Sequence, residues 1–299
     1  MDDPNALWIV INLGLGPKFQ DQARRHLIAF NQAGIDARVI DSCSLITTIG
    51  ESISLTTVDG QSLQAPKVVM FGVKDVILGN ALTQLGSVVL NAPESIALCD
   101  DKRSTQLALQ HANVAMPASI FPPHLYPGQP RPEFLESAAD RLGLPLIAKE
   151  VRGSFGRQVT LIPTIEALRD YVNQLGDRPY LLQEYIREAH GSDIRIQVVN
   201  GRWIAAITRQ ASGGQVQANL TLGSTGKAFK PDRVLAELAE HAANALGLVN
   251  AGVDIVLRNS GEPLVLEVNS NAHIARISEI TGIDCAAAFA SFVAREYFS

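Results

Sequence analysis

Gly252-Val253-Asp254-Ile255-Val256-Leu257-Arg258-Asn259-Ser260-Gly261-Glu262-Pro263-Leu264-Val265-Leu266-Glu267-Val268-Asn269 reads as two apolar, β-branched runs joined by a tight turn, the pattern of a β-hairpin. With Ser260-Gly261 as a two-residue loop, facing residues sum to 521, which sets Asp254 opposite Glu267. Side chains alternate along a strand, so Asn269 shares the face of Glu267. Two carboxylates about 5 Å apart repel by about 3 kcal/mol at an effective dielectric of about 20. Like charges facing each other destabilise a sheet, so a positive group is expected between them. Oxygen ligands from two acids and an amide suit Mg²⁺. The same spacing also fits a solvent-facing acidic hairpin with no ligand.

Upstream, Leu146-Ile147-Ala148-Lys149-Glu150 is an apolar strand ending in a lysine, followed by Arg152-Gly153-Ser154-Phe155-Gly156-Arg157-Gln158. Such a turn can bring an ammonium and backbone N–H groups around a phosphate, although it is not a Walker loop and an ordinary surface lysine fits too. Leu181-Leu182-Gln183-Glu184-Tyr185-Ile186 reads as a strand leaving into a loop that ends at Asp193, with Glu184 and Asp193 as acceptors for an adenine amine and a ribose. Asp193-Ile194-Arg195-Ile196-Gln197-Val198 alternates polar and apolar residues, and Arg209 ends its partner strand. Two guanidinium groups, Arg195 and Arg209, can thus converge where charge develops during acyl transfer; a cross-strand ion pair is the plainer alternative.

The chain has 299 residues, and the prior for that length is two domains, or three small ones. Strand and helix alternate over residues 1–93, giving a small N-terminal α/β domain; residues 94–178 read as a central lobe and 179–299 as a third. Five prolines between Phe121 and Pro132 mark a connector. A hairpin is expected over 193–199 and 202–209, a helix over 231–246 with Pro231 in its first turn, and a last helix near 282–297. Hydrophobic residues at 46 % and charged residues at 18 % exclude a disordered chain, and a net charge of −5 gives no footprint for non-specific nucleic-acid or acidic-membrane binding. Cys43, Cys99 and Cys285 are too few and too far apart for a disulfide framework. No run approaches the ~18 apolar residues of a membrane span. Met1-Asp2-Asp3 lacks the cationic region of a secretory signal, so a cytoplasmic location is expected.

In order along the chain, Asp101-Lys102, Lys149 with Gly153-Ser154-Phe155-Gly156, Gln183-Glu184-Tyr185-Ile186, Asp193-Ile194-Arg195, Arg209, Asn219, Gly252-Val253-Asp254 and Glu267-Val268-Asn269-Ser270 resemble the ATP-grasp superfamily. The likeness is nearest to its ribosomal-protein glutamate ligase (RimK-like) group, to which Asn91-Ala92-Pro93-Glu94-Ser95-Ile96 and Thr281-Gly282-Ile283-Asp284 are also similar. The resemblance implies an α/β fold of three lobes, with an N-terminal domain ahead of two lobes that clasp ATP. It further implies an acid activated as an acylphosphate and attacked by an amine, giving an amide, ADP and phosphate.

By that likeness Lys102, Lys149, Gly153, Ser154 and Gly156 hold phosphates. Glu184, Tyr185, Ile186, Asp193 and Asn219 complete the nucleotide site, and Asp254, Glu267 and Asn269 hold Mg²⁺, or Mn²⁺ in its place. The implied partners are ATP, a carboxylate substrate (a protein C-terminus or a small molecule) and an amino-acid amine such as glutamate's; a homo-oligomer is left open. Three positions depart from the group's pattern: Gln217 where an arginine is common, Gln158 in place of a third loop glycine, and Asn271-Ala272-His273 where Pro-Gly is frequent. A catalytically silent nucleotide-binding protein of the same fold is the rival reading.

Overall fold

The structure, a computed structural model, describes residues 6–126, 133–153, 158–211 and 224–298. Residues Ser154, Gly156, Gln217 and Asn219 lie outside that set.

The N-terminal lobe runs β1 (Leu7–Ile11), α1 (Pro17–Gln32), β2 (Ala37–Asp41), β3 (Leu45–Ile49), β4 (Ile53–Thr57), β5 (Ser62–Leu63), β6 (Val68–Phe71), α2 (Val76–Gln84) and β7 (Val88–Leu90). Its main sheet has the order β2-β1-β6-β7, all parallel. All five residues of β1 are buried, which explains its unbroken apolar run: a strand covered on both faces has no polar side to alternate with. The small antiparallel sheet β3-β4-β5 has no counterpart in the sequence reading; its signal is the β-branched Ile and Thr content of β3 and β4 and the Asp59-Gly60 turn.

The middle of the chain forms α3 (Pro93–Asp100), α4 (Lys102–His111), β8 (Ser119–Ile120), α5 (Leu135–Leu142), β9 (Leu146–Glu150), β10 (Val159–Ile162), α6 (Ile165–Leu175) and β11 (Tyr180–Glu184). The antiparallel central sheet has the order β10-β9-β11-β8. One face, with Leu146, Ala148, Ile162 and Leu182, packs on Ala138 of α5 and on Leu168 and Val172 of α6. The other face, carrying Ile147, Lys149, Val159 and Gln183, looks into a cavity. Sheet membership thus keeps β11 with the central sheet, whereas the sequence reading changes lobe after residue 178. Helix α4 sits instead with the C-terminal core, where Leu109 packs among Leu235, Ala239 and Val268.

The C-terminal lobe comprises β12 (Ser192–Val199), β13 (Arg202–Gln210), β14 (Thr225–Ala228), α7 (Arg233–Ala245), β15 (Asn250–Leu257), β16 (Pro263–Asn269), α8 (Ala275–Thr281) and α9 (Cys285–Tyr297). Its antiparallel sheet has the order β14-β13-β12-β15-β16, with Ile194, Ile196, Val253 and Ile255 against α7. Helix α7 starts two residues after the expected position: Asp232 is its N-cap, accepting from the Leu235 N–H at 2.9 Å, so Pro231 lies before the helix rather than in its first turn. Helix α9 begins at Cys285, capped by Asp284 through the Ala287 N–H. Leu7, Ile9 and Phe30 share one apolar core with Ile207, Phe289 and Val293, so the N- and C-terminal lobes are fused through a common interior.

Asn91 adds a polar clasp to that interface. Its amide Nδ2 donates to the carbonyls of Asn250 and Ser270, both at 2.8 Å, and its Oδ1 accepts from the N–H groups of Val249 (2.8 Å) and Asn250 (3.0 Å). One 3 % exposed side chain thus satisfies its full donor and acceptor capacity while tying the end of β7 to the start of β15 and the end of β16.

Candidate active site

The hairpin that opened the sequence reading holds its expected register at the site, by a different route. Asp254 faces Glu267 and Gly252 faces Asn269. Nearer the turn, however, Ile255 pairs with Val265 and Leu257 with Pro263, one residue out of step. The loop is therefore Asn259-Ser260-Gly261, closed by the Arg258 N–H on the Glu262 carbonyl (3.0 Å), with Gly261 at φ +85°. A β-bulge at Leu266 restores the register, and as a result the consecutive residues Leu266 and Glu267 both line the cavity.

Register then builds a charged row across four strands. Asp193 pairs with Arg209, and Arg195 pairs with Asp254, which pairs with Glu267. Arg209 grips Asp193 through Nε and Nη2, both at 2.6 Å, and Nη2 also lies 3.0 Å from Asp254. Arg195 holds Asp254 in a fork, its Nε on Oδ1 and its Nη2 2.7 Å from Oδ2. The positive charge expected beside Asp254 is therefore supplied by two guanidinium groups. Burial works to raise the Asp254 carboxyl, but Arg195 and Arg209 together hold it below the usual carboxylate range. Burial pushes Asp193 up to about 6, with Asp254 adding to the rise and Arg209 opposing it. The guanidinium of Arg209 is held firmly charged by Asp254 and Asp193 despite its burial.

Glu267 makes no hydrogen bond among the described residues, and the buried Nδ2 of Asn269 likewise finds no partner there. On the opposite wall Lys149 is 6 % exposed, and burial lowers its ammonium to about 8, with Glu267 opposing the shift and Lys102 adding to it. Lys102 reaches the carbonyls of Val151 and Gly153 at 3.4 Å. Gly153 leaves the space into which the side chain of Gln158 packs, so that departure fills the loop's base.

Glu184, read as an acceptor for an adenine amine, is gripped by Arg258 through two contacts of 2.8 Å and also accepts from the Ala118 N–H. Its neighbour Gln183, 1 % exposed, gives Nε2 to Ser119 and keeps a buried Oε1 with no partner among the described residues. The sequence reading includes Gln183 in its motif but gives it no role, because an amide within an apolar strand carries no charge signal. Tyr185 hydrogen-bonds His190, and Ile186 packs with Val256 and Leu264. The Cys99 thiol beside the cavity is pushed up to about 12 by burial and supplies no thiolate.

All three lobes line the same cavity, of about 1020 Å³: Asn12, Lys18 and Lys74 from the first; Lys149 and Gln183 from the second; Asp193, Arg195, Arg209, Asp254, Glu267 and Asn269 from the third. That volume is at the upper end for a ligand pocket and accommodates more than one small molecule. A buried lysine on the central sheet thus faces a row of buried carboxylates and guanidiniums on the C-terminal sheet, an arrangement suited to a polyanionic ligand.

Residues 99–293 match the RimK-like ATP-grasp domain, and the chain belongs to that family. A probable alpha-L-glutamate ligase of Aeromonas salmonicida is 31 % identical over 284 residues, covering 92 % of this chain and 93 % of the relative. Beta-citrylglutamate synthase B of Danio rerio is 30 % identical over 73 % of this chain, which spans about half, 53 %, of that longer relative. The fold superposes on the ATP-grasp ligase PsnB complexed with minimal precursor, Mg and ADP, with a TM-score of 0.71 at 18 % identity over 99 % of both chains. The family's named members are thus ligases and synthases.

Proposed function

We propose that this protein is an ATP-dependent carboxylate-amine ligase. A carboxylate oxygen of the acid attacks the γ-phosphorus, ADP leaves, and the resulting acylphosphate is attacked by an amine such as glutamate's; the amide forms as phosphate departs and the amine loses a proton. The observation that carries the reading is the pair of facing walls: buried Lys149 on the central sheet, and the Asp193–Arg209–Asp254–Arg195 row on the C-terminal sheet.

In this reading Lys149 and Lys102 neutralise phosphate oxygens, and the cavity face of β9 and β11 receives the base, with the partnerless Oε1 of Gln183 suited to an amine donor. Arg195 and Arg209 are already oriented by carboxylates, so they meet the developing oxyanion without reorganisation. The donor set also fits Mg²⁺: Glu267 and the Asn269 amide are hard oxygen donors beside the cavity, and Asp254 joins them by exchanging a guanidinium contact. When bound there, Mg²⁺ would supply charge neutralisation at the phosphates.

The test is incubation with ATP, Mg²⁺, glutamate and a panel of acids carrying ¹⁸O in the carboxylate. Equimolar ADP and amide, with one ¹⁸O carried into the released phosphate, are expected. AMP and pyrophosphate as products would refute the acylphosphate route.

A further inference from the structure

The β15–β16 hairpin presents Asp254, Glu267 and Asn269 to the cavity at one end, and its other end is engaged as well. Just past β15, Arg258 grips Glu184 at the end of β11 in a fork, Nη1 on Oε1 and Nη2 on Oε2, both at 2.8 Å. One residue on, the Asn259 N–H donates to Glu188 at 3.0 Å. Ile186, between those two acids in sequence, packs on Val256 and Leu264 in a small apolar cluster of its own. The hairpin tip thus holds the chain where it leaves the central sheet.

Glu184 has a second set of contacts. Its N–H donates to the Ala118 carbonyl at 2.8 Å, and its Oε2 accepts from the Ala118 N–H at 3.3 Å. Ser119, the next residue, pairs with Gln183 across β8 and β11, and its Oγ accepts from Gln183 Nε2 at 3.0 Å. That bond fixes which way the Gln183 amide is turned, leaving Oε1 as the atom with no partner among the described residues. The chain passes from α4, which packs on the C-terminal core, to the central sheet over residues 112–118, and returns over residues 185–191. Glu184 borders both crossings.

We propose that Arg258 and Glu184 are positioning residues for the nucleotide: their ion pair is a strut that sets β8, β11 and, through Ser119, the Gln183 amide against the hairpin carrying Asp254, Glu267 and Asn269. Glu184 then acts as part of the scaffold rather than as a ligand of the nucleotide. The inference rests on the ligase reading for what is positioned, and on the geometry for the strut. Glu184 lines the cavity and Arg258 is not among the described residues that do, so any effect of Arg258 on a ligand passes through Glu184. Arg258 holds the Glu184 carboxyl below the usual carboxylate range, so the pair stays ionised at neutral pH. Arg258 is 32 % and Glu184 25 % exposed, so the pair is worth little as a stabilising contact. A two-point fork fixes direction as well as distance, and that is its use here.

Calorimetric titrations of the full chain with AMPPNP and with GMPPNP, in the presence of Mg²⁺, test the strut through Arg258→Gln, Glu184→Gln and the double variant. Each single change should weaken AMPPNP binding about 10-fold, within the span for residues in direct contact, and the double change should weaken it no further, because all three variants remove the same pair. The preference for AMPPNP over GMPPNP should fall with it, since adenine offers an amine to Gln183 Oε1 where guanine offers a carbonyl; a general loss of stability does not move that ratio. Without nucleotide, amide hydrogen exchange over residues 118–120 and 183–186 should quicken in both single variants. Additive losses, or a loss in Glu184→Gln far larger than in Arg258→Gln, would make Glu184 a ligand and overturn the strut, as would parent-like affinity in all three variants. A parent chain that binds neither nucleotide refutes the ligase reading instead; the exchange measurement then decides the strut by itself, and unchanged exchange in Arg258→Gln overturns it.

Discussion

The two walls of the cavity handle buried charge in opposite ways. On the central sheet Lys149 stands in an apolar strand with no ion pair among the described residues, and its ammonium is lowered to about 8. On the C-terminal sheet four charges alternate, each acid held by one or two guanidiniums. A solitary buried charge is stabilised only when its ligand arrives, so it contributes to affinity. A cross-paired row holds its own geometry, so it contributes positioning, and its members depend on one another.

Glu267 is a site carboxylate with no guanidinium partner among the described residues, and Glu267→Gln should give the largest functional loss: turnover falls on the order of 10²- to 10³-fold, with thermal stability near the parent's. A full collapse of the fold, or full activity, would show that Glu267 belongs to the structural row. Asp254→Asn should do the opposite and destabilise the protein by about 3–5 kcal/mol, because two buried guanidiniums lose their shared partner; urea unfolding measures this. A loss within error would show that the row is not interdependent.

Lys149→Met should weaken binding of a non-hydrolysable ATP analogue by about 10- to 100-fold while leaving stability equal or higher, since a desolvated charge is removed. A loss of stability would place Lys149 with the paired wall. The parent's affinity for the analogue should be flat below pH 7 and fall as pH rises through about 8, where the free lysine loses its proton. Proton uptake on binding, read from calorimetry at pH 8.5 in buffers of different ionisation enthalpy, is the companion signature.

The smallest effect lies away from both walls. His26 is 1 % exposed against Phe30 and Phe289, with both ring nitrogens lacking partners among the described residues, and burial lowers it to about 4. The unfolded chain therefore binds a proton that the folded one refuses, and stability falls as pH drops from about 6.5 to about 4. His26→Leu should flatten that segment of the stability profile.

What could be read from the chain depended on how local each signal was. The facing of Asp254 and Glu267 follows from alternation within one hairpin, and Lys149 at the end of an apolar strand is equally local. The partners of those residues are not local: Arg195 meets Asp254 across 59 positions, and Glu184 meets Arg258 across 74. The bulge at Leu266 compensated the misjudged turn, so the register was right at the site although wrong beside it. The buried run of β11 carries nothing that says which sheet will take it, and the β3-β4-β5 sheet was masked by threonines that read as polar.

The Asn91 clasp has a mechanical consequence. First and third lobes share a core and four hydrogen bonds through one side chain, while the central lobe keeps its own separate apolar cluster. The first and third lobes thus form one packed body, and the central sheet joins it with an apolar cluster of its own. The Asp193–Arg209–Asp254–Arg195 row lies wholly on the body formed by the first and third lobes, so a displacement of the central sheet would change its distance from Lys149 without breaking any pair within the row.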